Sequence, residues 1–496
     1  MATGGLGRGL RTIAALALLC GCTVGPDFKR PAGPAVKAYT PGPLKATASA
    51  AARGGAAQRF VAGLDIPGQW WRLFHSPALD ALVKRALSAN PDLAAAQAAL
   101  RQAQENLYAG RGALYPQVVG NFTGSRNKTA AILSPTPANN ALYYSLYTAQ
   151  LTVSYDPDVF GGNKRQVESL AAQAEAQRFQ LEAAYLTLTS NVVAGAIADA
   201  SLRGQIAATQ EIIAVERDSL GVLQRQLALG QVAGTDVAVQ EAALAQAAAS
   251  LPPLQKQLAQ QRDQLAALVG GYPSAAPAEK FDLAALVLPQ DLPVSLPAKL
   301  VEQRPDIRAA EANLHAASAQ IGVAVAAMLP DISLSANPGS AALTLGSLFG
   351  PGTGFWTLAG GVTQTIFDAG TLLHKKRAAA AAFEQAAAQY KSTVLAAFQN
   401  VADSLHALKS DADALKTAAA AEAAAKKSLD ITRRQLALGA VGYLALLQAE
   451  QAYQQALVNL VQAQASRFAD TAALFQALGG GWWNRHDVQK QAAAKP

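Results

Sequence analysis

Apolar residues recur at every seventh position along much of this chain. Leu93, Leu100, Leu107 and Leu114 form one such row, and Ile206, Ile213, Leu220 and Leu227 form another. A third runs through Val237, Leu244, Leu251, Leu258 and Leu265. A seven-residue repeat keeps one seam of a helix turned towards a neighbour, so the pattern predicts long helices packed as coiled coils. The stretch 163–229 contains no proline and few glycines, and 374–438 reads the same way. Each predicts one helix of roughly 100 Å, at about 1.5 Å per residue. Helices that long do not fit an ordinary globule and imply a coiled-coil or tubular assembly. Pro252 and Pro253 predict a kink or brief break in the helix beyond the first turn.

The rows occur twice. The segment RQLALG from Arg225 to Gly230 recurs unchanged from Arg434 to Gly439, and Pro91-Asp92-Leu93 returns as Pro305-Asp306-Ile307. The first row is echoed by Ile307, Leu314, Ile321 and Met328. The others are echoed by Leu415, Glu422, Leu429 and Leu436, and by Leu446, Tyr453, Leu460, Arg467 and Leu474. A duplication of roughly 210 residues therefore covers most of the chain. Each copy reads as helix, extended segment, long helix, tight turn, helix. The expected organisation is a leader at 1–21, an N-terminal segment at 22–76 and a first repeat at 77–270. A linker at 271–298, a second repeat at 299–478 and a tail at 479–496 follow.

The extended segments alternate with period two. Tyr147, Ala149, Leu151, Val153 and Tyr155 share one face, opposite Thr148, Gln150, Thr152 and Ser154. Gln117 to Gly124 is shorter and mixed. Ile332, Leu334 and Ala336 alternate with Ser333, Ser335 and Asn337 in the second copy, and Trp356, Leu358 and Val362 oppose Thr357, Thr363 and Thr365. Apolar on one face and small-polar on the other suits strands of a transmembrane barrel as well as a half-buried soluble sheet. The segments 125–146 and 339–354, rich in Pro, Gly, Ser and Asn, predict loops. Four strands cannot close a useful bore, and open edges are costly in lipid. Three copies sharing twelve strands would close one barrel.

Composition narrows the class. Of 496 residues, 51% are hydrophobic and only 15% charged, which excludes a disordered chain. After the N-terminus no run of about 20 uninterrupted apolar residues appears. The net charge of +7 is spread along the chain, which argues against a nucleic-acid footprint. Cys20 and Cys22 are the only cysteines. Arg8 and Arg11 precede a short apolar run, Ile13 to Leu19, which reads as a secretion leader. The run ends Leu19-Cys20-Gly21-Cys22, resembling a bacterial lipobox with Cys22 as the lipidated residue. Thr23, where an inner-membrane retention signal would be aspartate, implies the outer membrane.

Several ordered motifs resemble one family, the TolC/OprM-like outer-membrane efflux proteins in their lipoprotein branch. They are Cys22 to Pro31, Trp70 to Phe74 with Asn90 to Leu93, Arg304 to Glu311, Ile366 to Gly370 and Ala477 to Trp483. The resemblance covers about residues 16 to 483. It implies a mainly α fold with a small β part: a homotrimer with a twelve-stranded outer-membrane barrel continuous with a periplasmic helical barrel. It also implies a periplasmic adaptor and an inner-membrane pump, usually a proton-driven one of RND type, as partners. Thr365 replaces a proline common in the family.

The resemblance places a periplasmic gate at the two helical turns around Gly230 and Gly439, with those tips as the adaptor contact. Asp236 matches a family gate acid, but the partner arginine is replaced by Val441, and the acidic-ring positions are Ala445 and Gln448. The expected constriction is therefore apolar and amide-lined, with Tyr443, Leu444 and Gln448 as candidates. Glu450 lies about 200° around the helix from Gln448 and does not obviously replace the lost acid. Trp356 suits an interfacial aromatic girdle, and Trp70, Trp71, Trp482 and Trp483 suit packing where the chain ends meet. His75, His315, His374, His406 and His486 are scattered without metal-ligand spacing, and Gly350 to Gly354 lacks the lysine of a phosphate loop. No catalytic site, cofactor or metal is read from the sequence. The leading function is a passive exit duct for small molecules. A protein-secretion duct and a non-pore coiled-coil lipoprotein are the alternatives, the strands counting against the latter.

Overall fold

A computed structural model describes residues 23–42, 44–130 and 143–488. The leader and Cys22 lie outside the described residues. In chain order the elements are β1 (Arg59–Ala62), α1 (Pro77–Ala89), α2 (Pro91–Arg111), β2 (Gln117–Lys128), β3 (Tyr143–Tyr155) and α3 (Gly162–Ala228). Then come α4 (Gly234–Ala249), α5 (Leu251–Leu268), β4 (Asp291–Val294), α6 (Pro297–Gln303), α7 (Pro305–Ala326), β5 (Asp331–Ala336) and β6 (Gly339–Ala342). The last are β7 (Gly354–Phe355), β8 (Leu358–Thr363), α8 (Thr371–Ala437) and α9 (Tyr443–Ala477). The described residues fall into two compact units, one within 1–31, 100–177 and 310–390, the other within 32–99, 178–309 and 391–496. Each draws on both sequence copies, so the copies repeat the order of elements rather than compact bodies.

The long helices α3 and α8 stand within three residues of their expected bounds. Their starts are fixed by carboxylates. Asp158 accepts from the Asn163 and Lys164 amides at 3.0 and 2.7 Å, and Asp368 accepts from Gly370 and Leu372 at 2.9 and 2.7 Å. Pro252 and Pro253 occupy the first turn of α5, where a missing N–H costs nothing, so the break falls at Ser250. Helix α3 has a window of mean hydropathy 1.2, apolar enough to cross a membrane by composition, but 56% of that window is buried within the chain.

The first unit is built on one antiparallel sheet. β2 pairs with β3 along its whole length, and the other edge of β3 receives β5 and β6, beyond which lie β8 and β7. The expected loop at 125–146 is narrower than predicted, since β2 runs on to Lys128 and β3 begins at Tyr143. The segment 339–354, also expected to be a loop, contributes β6 and the first residue of β7. Backbone pairing overrides composition here. A Cβ at Gly339 would sit 2.8 Å from that of Gln150, so the lack of a side chain is what lets β6 reach β3. β5 and β6 are one strand interrupted at Pro338, and β7 and β8 one strand interrupted at Trp356. Asn337 and Thr357 exchange both backbone hydrogen bonds across the two breaks. Four strand lines therefore remain.

Register puts like with like. Val118, Val153, Ala336 and Leu358 form one row across the sheet, and Gln117, Ser154, Ser335 and Ala359 form the next, on the opposite face. One face thus carries an apolar band across all four lines, giving way to Arg126, Ser145 and Lys128 towards the far end of β2 and β3. Trp356 lies in the gap between β7 and β8, largely exposed. At the base of this unit Arg165 is buried. It binds the Val24 carbonyl at 3.1 Å and Asp27 at 2.7 Å, tying down the segment that begins at Thr23.

In the second unit β1 and β4 pair in parallel. The tryptophans join chain-distant segments as expected. Trp70 stacks on Phe475 at 5.4 Å, the Trp482 indole donates to the Gln303 carbonyl at 2.6 Å, and Trp483 donates to Asp65 at 3.0 Å. Two of the motifs that carry the resemblance have plain structural roles. The Asn90 side chain caps α2 through the Leu93 amide at 3.0 Å, and Arg304 grips Asp306 and the Ala477 carbonyl.

Candidate functional site

The two hairpin turns of the second unit are built alike. Gly230 and Gly439 both adopt φ +70, and nothing lies within 4 Å of a Cβ added at either. Glycine is needed there for its left-handed backbone, not for space. The Gly230 amide donates to the Leu227 carbonyl and the Gln231 amide to Gln226, while Gly439 and Ala440 repeat the pair on Leu436 and Gln435, all at 2.9 Å. This is the Schellman closure of a helix end. Just before each glycine, Leu229 and Leu438 are 73% and 83% exposed.

The predicted gate residues separate into two groups. Leu444 and Gln448, one helical turn apart, are exposed on the same face of α9. Tyr443 instead turns inward, and its hydroxyl donates to Gln240 Oε1 at 2.5 Å. Asp236 closes the start of α4, its carboxylate accepting from the Ala233 amide at 3.2 Å. That role asks for no arginine at position 441.

Behind the turns lies a polar cluster that sequence reasoning missed. The buried Gln240 amide donates to Glu216 Oε2 at 2.6 Å, and Gln454 donates to Glu216 Oε1 at 2.8 Å. Glu450 is buried too, with Arg433 as its cation at 3.2 Å and Oε2 without a hydrogen-bond partner. Burial, reinforced by the charge of Glu216, pushes the Glu450 carboxyl above its ordinary range, against the pull of Arg433. Burial and the two carboxylates likewise raise the Tyr443 phenol. The cluster ties α3, α4, α8 and α9 together where the hairpins end. One signal for it exists in the sequence: polar residues at seam positions of apolar heptads, Glu216 after Ile213 and Gln240 after Val237.

The model of the outer membrane efflux protein family matches residues 82–271 and 296–480. Among relatives, a toluene efflux pump outer membrane protein, TtgC of Pseudomonas putida, is 30% identical over 485 residues, covering 96% of each chain. SilC of Salmonella typhimurium, named a probable outer membrane lipoprotein, is 29% identical over 95% of this chain and 98% of its own. The outer-membrane channel OprN superposes with a TM-score of 0.82 at 27% identity, covering 93% of this chain and all of that one. The open MtrE channel of Neisseria gonorrhoeae gives 0.81 at 27%, covering 94% of this chain and 100% of its own. With both copies matched by one family model, and relatives alike from end to end, this chain belongs to the outer membrane efflux protein family.

Proposed function

We propose that three copies of this chain close one pore and act as the passive exit duct of a tripartite efflux system for small molecules. The observation that carries this is the four-line sheet. One of its faces carries an apolar band, and its outer lines, β2 and β8 with β7, each lack a partner on one side among the described residues. Each unpaired backbone group in lipid costs several kcal/mol, so the edges require neighbours, and twelve strands suffice for a bore. The exposed Leu229 and Leu438 at the two matching tips suit contact with a periplasmic adaptor, which would couple the duct to an inner-membrane pump of RND type. The name of TtgC, a toluene efflux pump outer membrane protein, supports small-molecule efflux over protein secretion, and that of SilC supports an outer-membrane lipoprotein.

Leu444 and Gln448 are the pore-facing gate residues in this reading. Native mass spectrometry in detergent should show three chains, and Leu444→Ser should raise single-channel conductance in planar bilayers. Asp236→Asn should change it little, because the amide oxygen still caps α4. A stable folded monomer, or an unchanged Leu444→Ser channel, would overturn the reading.

Cys22 carries the lipid in the same proposal. Arg165 holds the chain only two residues beyond it, next to the start of α3. The mature N-terminus should have the mass of an acylated Cys22, and a mass for unmodified cysteine or for cleavage elsewhere would remove the anchor. One or two acyl chains add a modest affinity, so Cys22→Ser should still insert.

A further inference from the structure

Resting on the barrel reading, the geometry points to a second lipid-binding feature: a basic and aromatic collar that takes anionic phospholipid headgroups of the periplasm-facing leaflet. The collar lies where the strands of the first unit meet their helices. β2 is entered from α2 through residues 112–116, and β8 leaves for α8 through 364–370. Tyr115, Ile366 and Phe367, at 71%, 89% and 87% exposed, lie just beyond the strands at this end of the sheet. The basic residues come next. Arg111 closes α2, Lys164 opens α3, and Lys375, Lys376 and Arg377 follow one another in the second turn of α8, all exposed.

Four of these cations are unpaired: among the described residues Lys164, Lys375, Lys376 and Arg377 have no ion-pair partner, and Arg111 lies only over the Tyr108 ring at 5.7 Å. The contrast is Arg165, next to Lys164, which is buried and paired with both Asp27 and Glu168. The neighbouring acids are mostly engaged: Asp158 and Asp368 cap helices, and Glu168 also binds His315 at 2.8 Å. Asp156 and Asp331 are exposed near the strand ends, and Glu105 and Glu384 are exposed about two turns away along α2 and α8, against five basic side chains. Cations this near a helix start gain nothing from its dipole. Three successive residues sweep about 200° of a helix, so the run faces outward at one position or more whatever the rotation of α8. Apolar and aromatic groups below a ring of fixed cations are complementary to acyl chains below phosphates.

The test is native mass spectrometry of the full chain in detergent, titrated with phosphatidylglycerol or phosphatidylcholine. Each basic residue near an anionic surface contributes roughly fivefold in affinity. Wild type should therefore prefer phosphatidylglycerol, and the triple variant Lys375→Gln, Lys376→Gln, Arg377→Gln should lose that preference by about tenfold or more. Lys426→Gln with Lys427→Gln, further along the same helix, should leave it intact, and added inorganic phosphate should not compete. Equal preference in wild type and triple variant, an equal loss in the control, or full competition by free phosphate would overturn the collar. Conductance in neutral-lipid bilayers separates the two readings. Pores without a lipid preference sink the collar alone, whereas a chain forming no pore sinks the barrel.

Discussion

Arg433→Ala should loosen the end of the α8/α9 hairpin and raise resting conductance. Glu450 would keep its buried position next to Glu216 and lose the one cation paired with it among the described residues. Removing one partner from a fully buried pair costs about 3–5 kcal/mol. The Arg433 side chain is 43% exposed, and solvent screening brings the expectation down to about 1–3 kcal/mol per protomer. Three protomers would lose it together. Hydrogen exchange of residues 443–457 should accelerate, and bilayer recordings should show more open time; unchanged exchange there would remove Glu450 from the gate.

The same site sets a pH dependence. Burial in the packed tip raises the Glu450 carboxyl, so the packed state binds the proton more tightly than a splayed, solvated one. The contribution to packing is fully present below the ordinary glutamate range and is lost as pH rises through the raised value. Exchange at the tip, corrected for intrinsic rates, should therefore be slower at mildly acidic than at mildly alkaline pH. Glu450→Gln, which retains an acceptor for Arg433 without the charge, should flatten that slope. An identical slope in wild type and Glu450→Gln would assign the dependence to another group.

The larger stability effect is expected from Arg485→Ala. Arg485 and Glu182 are paired at 2.8 Å, with side chains only 10% and 8% exposed, and the guanidinium lies 3.8 Å over the Tyr185 ring. Burial pushes the Glu182 carboxyl up even against Arg485, a sign of how poorly water reaches it. Alanine leaves that carboxylate with only the charge of Arg178 nearby and removes the stacked plane, for a loss of about 3–5 kcal/mol. Glu182→Gln in the same chain should restore part of it, because the neutral amide is cheaper to bury unpaired. Lysine at position 485 should rescue less than a like charge suggests, since it cannot stack as the planar guanidinium does. Thermal unfolding of the detergent-solubilised protein measures all three; a single Arg485→Ala variant melting with wild type would show the pair to be dispensable.

By itself the sequence determined the elements with strong periods. The proline-free stretches 163–229 and 374–438, with heptad rows over their later parts, placed α3 and α8 within three residues, because nothing in them breaks a helix and the seam needs one to be buried. The alternation from Tyr147 to Tyr155 placed most of β3, and Gly230 and Gly439 marked both turns, since each needs a left-handed residue. Only tertiary structure decided β6 and β7. Gly-Ser-Ala-Ala carries no apolar period, and its strand exists because β3 offers an unpaired edge along Tyr147 to Gln150. The cluster of Glu216, Gln240, Tyr443, Glu450 and Arg433 was likewise settled by packing. A polar residue in a seam reads the same whether it meets solvent, a lumen or a partner, and the partner of Glu216 on α9 is Gln454, 238 residues away. One turn of α9 thus sends Tyr443 into the bundle and leaves Leu444 outside. Rotation of a helix about its own axis is fixed by its neighbours, which no local pattern contains.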